Sequence, residues 1–380
     1  MKTKHILPLA ALIGALAVHA QGAFAFNSGS TGALGDLLVT NAVTVTLPPD
    51  GVLHYQRVEV TEEGSLSFVK NALNTPVTIL ARGEVIISGS VLLNGATSSG
   101  RDPGQGGPGG FDGGRAATGG QPGGPGKGPG GGAPASNENA GPGAFASRGD
   151  AGGGRSGTAG TVYGDPLLLP IIGGSGGGGR NDTFEGGGGG GGAILIASSA
   201  RISLPVSNRG IFARGGDAYY NDGSGGGVRL VAPVIDGIGI IDVRGGQQGG
   251  IGRIRFDTPN ARAANINLQG SFSIGSLMLT KLPVEPQLGI VQVGDRPIPQ
   301  DAPGTVNVIF PPGTTAERVV RVQAKDFGSV VPVRVALTPD YGDRVIVDAE
   351  LDNTAAGAVT KDIAVTFPLN VVVSVNVWTR

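Results

Sequence analysis

The chain has 380 residues, carries a net charge of −1 and contains 72 glycines, 26 prolines and no cysteine. A near-neutral balance with scattered Lys and Arg argues against nucleic acid or anionic lipid as a partner, and the lack of cysteine excludes disulfides, thiolate metal sites and Cys nucleophiles. Three histidines are present, two of them (His5, His19) in the first 25 residues, so a catalytic triad would depend on His54 alone.

Residues 1–25 read as a secretory signal peptide. Lys2 and Lys4 precede an apolar stretch from Ile6 to Val18, and small-residue cleavage patterns follow at Val18-His19-Ala20 and Ala23-Phe24-Ala25. Pro8 and Gly14 interrupt the stretch, which falls short of the roughly 20 apolar residues a membrane span needs. The predicted product is exported, extracellular or at the cell surface, with the periplasm as the other compartment, and has no membrane span.

Residues 26–95 are expected to form an N-terminal β cap and a first coil. Short β-branched runs broken by glycine, at Val77–Ala81, Glu84–Gly89 and Ser90–Gly95, carry no helical spacing. Residues 96–192 form a Gly/Pro-rich insertion. Roughly two-fifths of residues 101–192 are glycine, against an ordinary share of about 7%. Such a segment is expected to be a flexible or partly ordered loop, because glycine has the most conformational entropy to lose. The competing arrangement is extended polyproline-II-like strands packed side by side, which only glycine permits. The apolar cluster at Leu167–Leu169, Ile171 and Ile172 is expected to pack onto the body of the protein.

In residues 193–282 the strand motif returns. Ala193–Ala197, Ala200–Leu204 and Gly210–Gly216 form one copy, and Gly227–Ala232, Val234–Gly237 and Gly239–Gly246 form another. A degraded copy follows at Gly252–Asp257 and Ala264–Gly270. Each reads strand, small-residue corner, strand, corner, strand, Gly-Gly. Runs this short gain stability only by stacking on equivalent runs, so the repeat predicts an all-β fold containing a β-solenoid (parallel β-helix-like) in preference to an ordinary sandwich. In residues 283–380 glycine thins out and alternating runs appear at 289–293, 305–310, 318–324, 331–337, 344–349, 362–367 and 371–378. Seven short strands predict an immunoglobulin-like β-sandwich without the Cys and Trp core of antibody domains.

The segments Asn74–Ala81, Gly107–Gly114, Leu169–Gly179, Gly225–Ala232 with Ile241–Gly246, and Gly252–Phe256 resemble those of exported glycine-rich bacterial proteins with β-solenoid-like repeats, a structural or adhesin-like group with no assigned activity. The resemblance spans about residues 26–258. It implies a surface or matrix location and carries over no site residue.

Candidate chemistry is sparse. Lys127 lacks the following Ser/Thr and helix of a phosphate-binding loop. Asp217 and Asp222, beside glycines, are the best calcium candidates, although they do not recur at nine-residue spacing. Arg229, Arg244, Arg253 and Arg255, with Asp242 and Asp257, are expected on a solvated outer face with cross-strand ion pairs, and form a candidate face for acidic polysaccharide. No catalytic residue, organic cofactor or metal beyond that calcium is expected. The chain thus reads as a non-catalytic surface or matrix scaffold, with cell-surface components, polysaccharide or its own copies as partners; the alternative is a carbohydrate-binding or polysaccharide-cleaving protein.

Overall fold

A computed structural model describes residues 26–135, 139–150, 157–181, 185–259 and 265–380. The predicted signal peptide, residues 1–25, lies outside the described residues. Among these the fold is all-β without a helix, and it builds three parallel sheets and two antiparallel ones.

The parallel sheets take their strands in rotation. The first contains β1 (Leu37–Val39), β4 (Val58–Val60), β7 (Val85–Ile87), β10 (Arg201–Leu204) and β13 (Val234–Gly237). The second contains β2 (Ala42–Thr46), β5 (Ser65–Val69), β8 (Ser90–Leu92), β11 (Gly210–Phe212), β14 (Ile240–Asp242) and β16 (Asn267–Gln269). The third contains β3 (Val52–Tyr55), β6 (Val77–Ala81), β9 (Ala193–Ser198), β12 (Gly227–Val231), β15 (Arg253–Asp257) and β17 (Ser271–Gly275). Within residues 26–95, expected to hold a cap and a first coil, β1 to β8 all belong to these same three sheets.

Parallel register stacks like on like. In the third sheet one inward column runs Leu53, Ile79, Ile196, Leu230, Phe256, Ile274, and its neighbour runs Val77, Ile194, Val228, Ile254, Phe272. With Val91, Ile211 and Ile241 from the second sheet and Val85, Ile202 and Ile235 from the first, these residues up to Ile254 and Phe256 form one buried core, and Phe272 and Ile274 at the end of the columns are exposed. Each strand of three to six residues is too short to persist alone; its pairing and its burial both come from the strands above and below.

The glycine-rich chain enters between β8 and β9 and is not the flexible or partly ordered loop expected of it. Residues 186–192 are buried at the centre of a bundle of extended segments. Gly187 and Gly190 donate to Gly114 and Phe111, Gly188 and Gly191 to Asn221 and Ser224, and Gly189 and Gly192 to Ala96 and Leu93, all at 2.7–3.0 Å. The partner thus returns every third residue, the period of a polyproline II helix. The carbonyls of the same strand accept from Gly104 and Gly107, from Gly177 and Gly174, and from Gly216. Six segments surround one, and two of them (213–216 and 221–224) come from the link between β11 and β12. A Cβ built on Gly187 through Gly191 would sit 2.0–2.2 Å from a carbonyl oxygen of a neighbouring segment. Glycine is required here by contact. The entropic cost that predicts a loose loop is outweighed because the bundle gives each amide a partner and excludes water around it.

The apolar run beside the bundle covers the outer face of the third sheet. Leu168 is fully buried, and Ile171 packs with Phe26, Val52 and Met278 over Leu80, Leu195 and Val231.

The C-terminal strands form two antiparallel sheets, β19–β18–β20–β23 and β22–β21–β24. Their strands are β18 (Gln287–Val293), β19 (Arg296–Pro297), β20 (Glu317–Lys325), β21 (Val330–Pro339), β22 (Val345–Asp352), β23 (Ala358–Thr366) and β24 (Val373–Thr379). Val320, Val322, Ile363 and Val365 of one sheet and Val331, Val333, Val335 and Leu337 of the other share one apolar cluster. The run 305–310, expected as a strand, alternates in exposure but joins no sheet. Pro303, Pro311 and Pro312 bracket it, and prolines withhold the N–H groups a ladder needs.

A polar cleft between the glycine bundle and the C-terminal sheets

The C-terminal sheets rest on the glycine bundle. Phe111 meets Trp378 edge-on with centroids 6.5 Å apart, and the Gly342 amide donates to the Gly123 carbonyl at 3.1 Å. Arg344 reaches from the start of β22 to donate to the Gly126 carbonyl. Burial, reinforced by the charge of Arg334, pulls the Arg344 guanidinium down to about 10. Its Nε has no hydrogen-bond partner among the described residues.

Beside this contact lies a cleft of about 360 Å³, lined by Asp102, Pro103, Gln105, Asp112, Gly113, Gly114, Arg115, Pro125, Lys127, Pro339 and Asp340. The bundle forms its floor. Asp112 is fixed from three directions: Oδ1 accepts from the Gly106 amide at 2.8 Å, pairs with Lys70 at 3.3 Å, and the Asp112 carbonyl accepts from the Lys127 amide at 2.9 Å. Arg115 faces Asp340 across the junction at 3.8 Å. The Lys127 ammonium has no ion-pair partner among the described residues. Three carboxylates, two cations, an amide and flat proline walls on a rigid floor can exchange hydrogen bonds with a polyhydroxylated or zwitterionic ligand. The sequence assigns no site to Lys127, which lacks a phosphate-loop pattern, nor to Asp112, which reads only as an acid near glycine. The one available signal is the rarity of charge within the glycine zone.

The arginines expected on a solvated face separate into three environments, and for two of them that expectation is corrected. Arg229 is fully buried and Arg255 nearly so. Both clamp the buried Asp257 carboxylate, Arg229 on Oδ2 at 2.9–3.0 Å and Arg255 on Oδ1 at 2.7–3.0 Å. Asp257 Oδ1 also accepts from the Leu277 amide at 3.0 Å, and Arg229 donates to the Leu277 carbonyl at 3.2 Å. The residues point outward from the sheet, as alternation requires, but the chain leaving β17 lies over them. The triad thus fastens residues 277–278 to the sheet. Burial lowers the pKa of Arg229, and Asp257 opposes the shift.

Arg253 donates to the Tyr163 carbonyl at 3.0 Å and lies 5.5 Å from the Phe145 ring, which stacks on Tyr163. Arg244 is half exposed and grips Asp242 through Nε at 3.0 Å and Nη2 at 2.6 Å. Burial pushes the Asp242 carboxyl up, but the Arg244 hydrogen bonds and the charges of Arg244 and Arg214 outweigh it and hold it below the usual range. These contacts divide the arginines among three neighbourhoods, Arg229 with Arg255 in one, so the four do not share one open face.

Asp217 is exposed and Asp222 buried. Asp222 accepts from the Ala218 amide at 2.6 Å and the Gln248 amide at 2.7 Å, one on each oxygen, and Asp217 accepts from Gln247 at 3.3 Å. Burial raises the Asp222 carboxyl despite these bonds, helped by Asp217 and Glu185. Both carboxylates hold the glycine turn at 245–249 in place, and no group of three or more His, Cys, Asp or Glu suited to a metal occurs among the described residues. No helix there is long and apolar enough to cross a membrane. Comparison with protein-family models, curated proteins and solved structures finds no match to this chain.

Proposed function

We propose that the chain is an exported, non-catalytic scaffold of the cell surface or extracellular matrix, in which a β-solenoid carries a glycine bundle on one corner and an immunoglobulin-like sandwich on that bundle. The observation carrying this reading is the shared construction of stack and bundle. The links between β11 and β12 and between β14 and β15 leave the stack, supply segments or backbone partners to the bundle, and return. Bending one body therefore strains the other, which suits an element that transmits load or holds a binding module at a fixed height. The solenoid reading is supported by the three-strand rotation, and the sandwich reading by the packing of four strands on three. The leader-like first 25 residues support export.

Fractionation of producing cells, with protease shaving and antibody labelling of the tagged full chain, tests the proposal. Recovery in the surface or matrix fraction is expected, and retention of an unprocessed chain inside the cell overturns it.

The cleft favours one further reading, binding of polysaccharide. Glycan-array binding by the mature chain, lost in Asp112→Ala and Lys127→Ala, is the expected outcome. Release of new reducing ends or unsaturated products from a polysaccharide panel would replace the scaffold with an enzyme.

A further inference from the structure

The two ends of the strand stack are finished differently. At the start, residues 31–37 close the edge of β3: Leu34 donates to the His54 carbonyl at 2.9 Å, Gln56 to the Gly35 carbonyl at 2.7 Å, and Thr31 to His54 Nδ1 at 3.1 Å. Asp36, Asp50, Glu62 and Glu63 add charge around that end. Among the described residues the other end has no such closure. Phe272 and Ile274 continue the two inward columns of the third sheet, beyond Ile254 and Phe256, which are 1% and 0% exposed. Yet Phe272 is 59% and Ile274 44% exposed, because nothing among the described residues stacks on them. Among the described residues β17 pairs only with β15, which leaves its far edge without a strand partner there. Residues 265–280 contain no charged side chain and no proline, the devices that normally guard an edge against pairing.

We propose that this end is a dimer interface, in which β17 pairs antiparallel with β17 of a second copy across a two-fold axis at Ser273. The occupant follows from the strand itself. Ser271-Phe272-Ser273-Ile274-Gly275 alternates symmetrically about its centre, so a two-fold sets Phe272 of each copy opposite Ile274 of the other and Ser273 opposite Ser273. One patch serves both partners, as an isologous contact requires. A head-to-tail filament through the third sheet would need the far edge of β3 to be open, and there residues 31–35 bond to His54 and Gln56. The interface is independent of the scaffold proposal, since it rests on the edge alone.

Sedimentation velocity on the mature chain tests the interface, together with oxidation of the Ser273→Cys variant in a chain that has no other cysteine. A concentration-dependent dimer and a single cross-linked dimer band are expected. Phe272→Asp and Ile274→Lys should each give a folded monomer with the wild-type circular dichroism spectrum, because both side chains are largely exposed in the single chain, and a melting temperature that no longer rises with protein concentration. The double variant places opposite charges face to face and should recover the dimer, in a salt-sensitive form. A wild-type chain that stays monomeric at its highest soluble concentration overturns the proposal. So does open-ended growth, or a double variant no more associated than the singles.

Discussion

Replacing Gly190 with alanine places one methyl at the densest point of the bundle. Its Cβ would lie 2.0 Å from the Gly174 carbonyl oxygen and 2.3 Å from the carbonyl carbon, where non-bonded heavy atoms need about 3.5 Å. The central strand must retreat by more than ~1 Å, which opens the Gly190-to-Phe111 bond (2.8 Å) and the Gly107-to-Gly190 bond (2.9 Å) on other sides. Each lost bond costs about 1 kcal/mol net, and overpacking adds about 1–3 kcal/mol. The stiffer unfolded chain returns at most about 1 kcal/mol. The expected destabilisation is about 2–4 kcal/mol, read by chemical denaturation of the protein spanning residues 26–380. Gly313→Ala is the control, because Gly313 has φ +80° and open space around it; it should show only left-handed backbone strain, about 1–2 kcal/mol. A Gly190→Ala variant within about 0.5 kcal/mol of wild type, the range of an unconstrained surface site, would refute close packing of the bundle.

Hydrogen exchange should find the amides of 187–192 as protected as those of β9 and β12, whereas a loose loop would exchange within seconds. Asp257→Ala strands two buried guanidiniums and should cost about 3–5 kcal/mol, while Arg229→Met leaves Asp257 paired with Arg255 and should cost clearly less; equal losses would show that the triad does not act as a unit. The Asp242 carboxyl is held below its ordinary range in the folded state, so its stabilising contribution is complete above the unfolded carboxylate range near pH 4 and disappears as pH falls through the lower folded value. Melting temperatures followed from pH 6 to pH 2 should therefore drop less steeply in Asp242→Asn than in wild type. An unchanged slope would remove Arg244–Asp242 from the acid response.

Much of the architecture was legible in the chain. Short β-branched runs ending in Gly-Gly, repeated in one order, could gain stability only by stacking, and Ile196, Leu230 and Phe256 stack as that pattern requires. The cluster around Leu168 declared itself because five aliphatic residues in six have no role in solvent. Alternation also told correctly which of Arg253, Ile254, Arg255 and Phe256 face in. It could not tell that the outer face of that sheet is itself covered, because the covering chain, Leu277 and Met278, arrives from beyond the repeat.

Local pattern, then, determined strand identity, facing and stacking, since side-chain period and β-propensity act over a few residues. The fate of the glycines was decided only in three dimensions. A run such as Gly186–Gly192 has no side chains to declare a partner, and alone it would stay unfolded for entropic reasons. Its order comes from six segments spread between Leu93 and Ser224, each supplying an amide, a carbonyl or a closely packed stretch of backbone. The cleft is likewise a product of assembly: Asp112 and Lys127 look ordinary in sequence and acquire Asp340 as a neighbour only when the C-terminal sheets settle on the bundle.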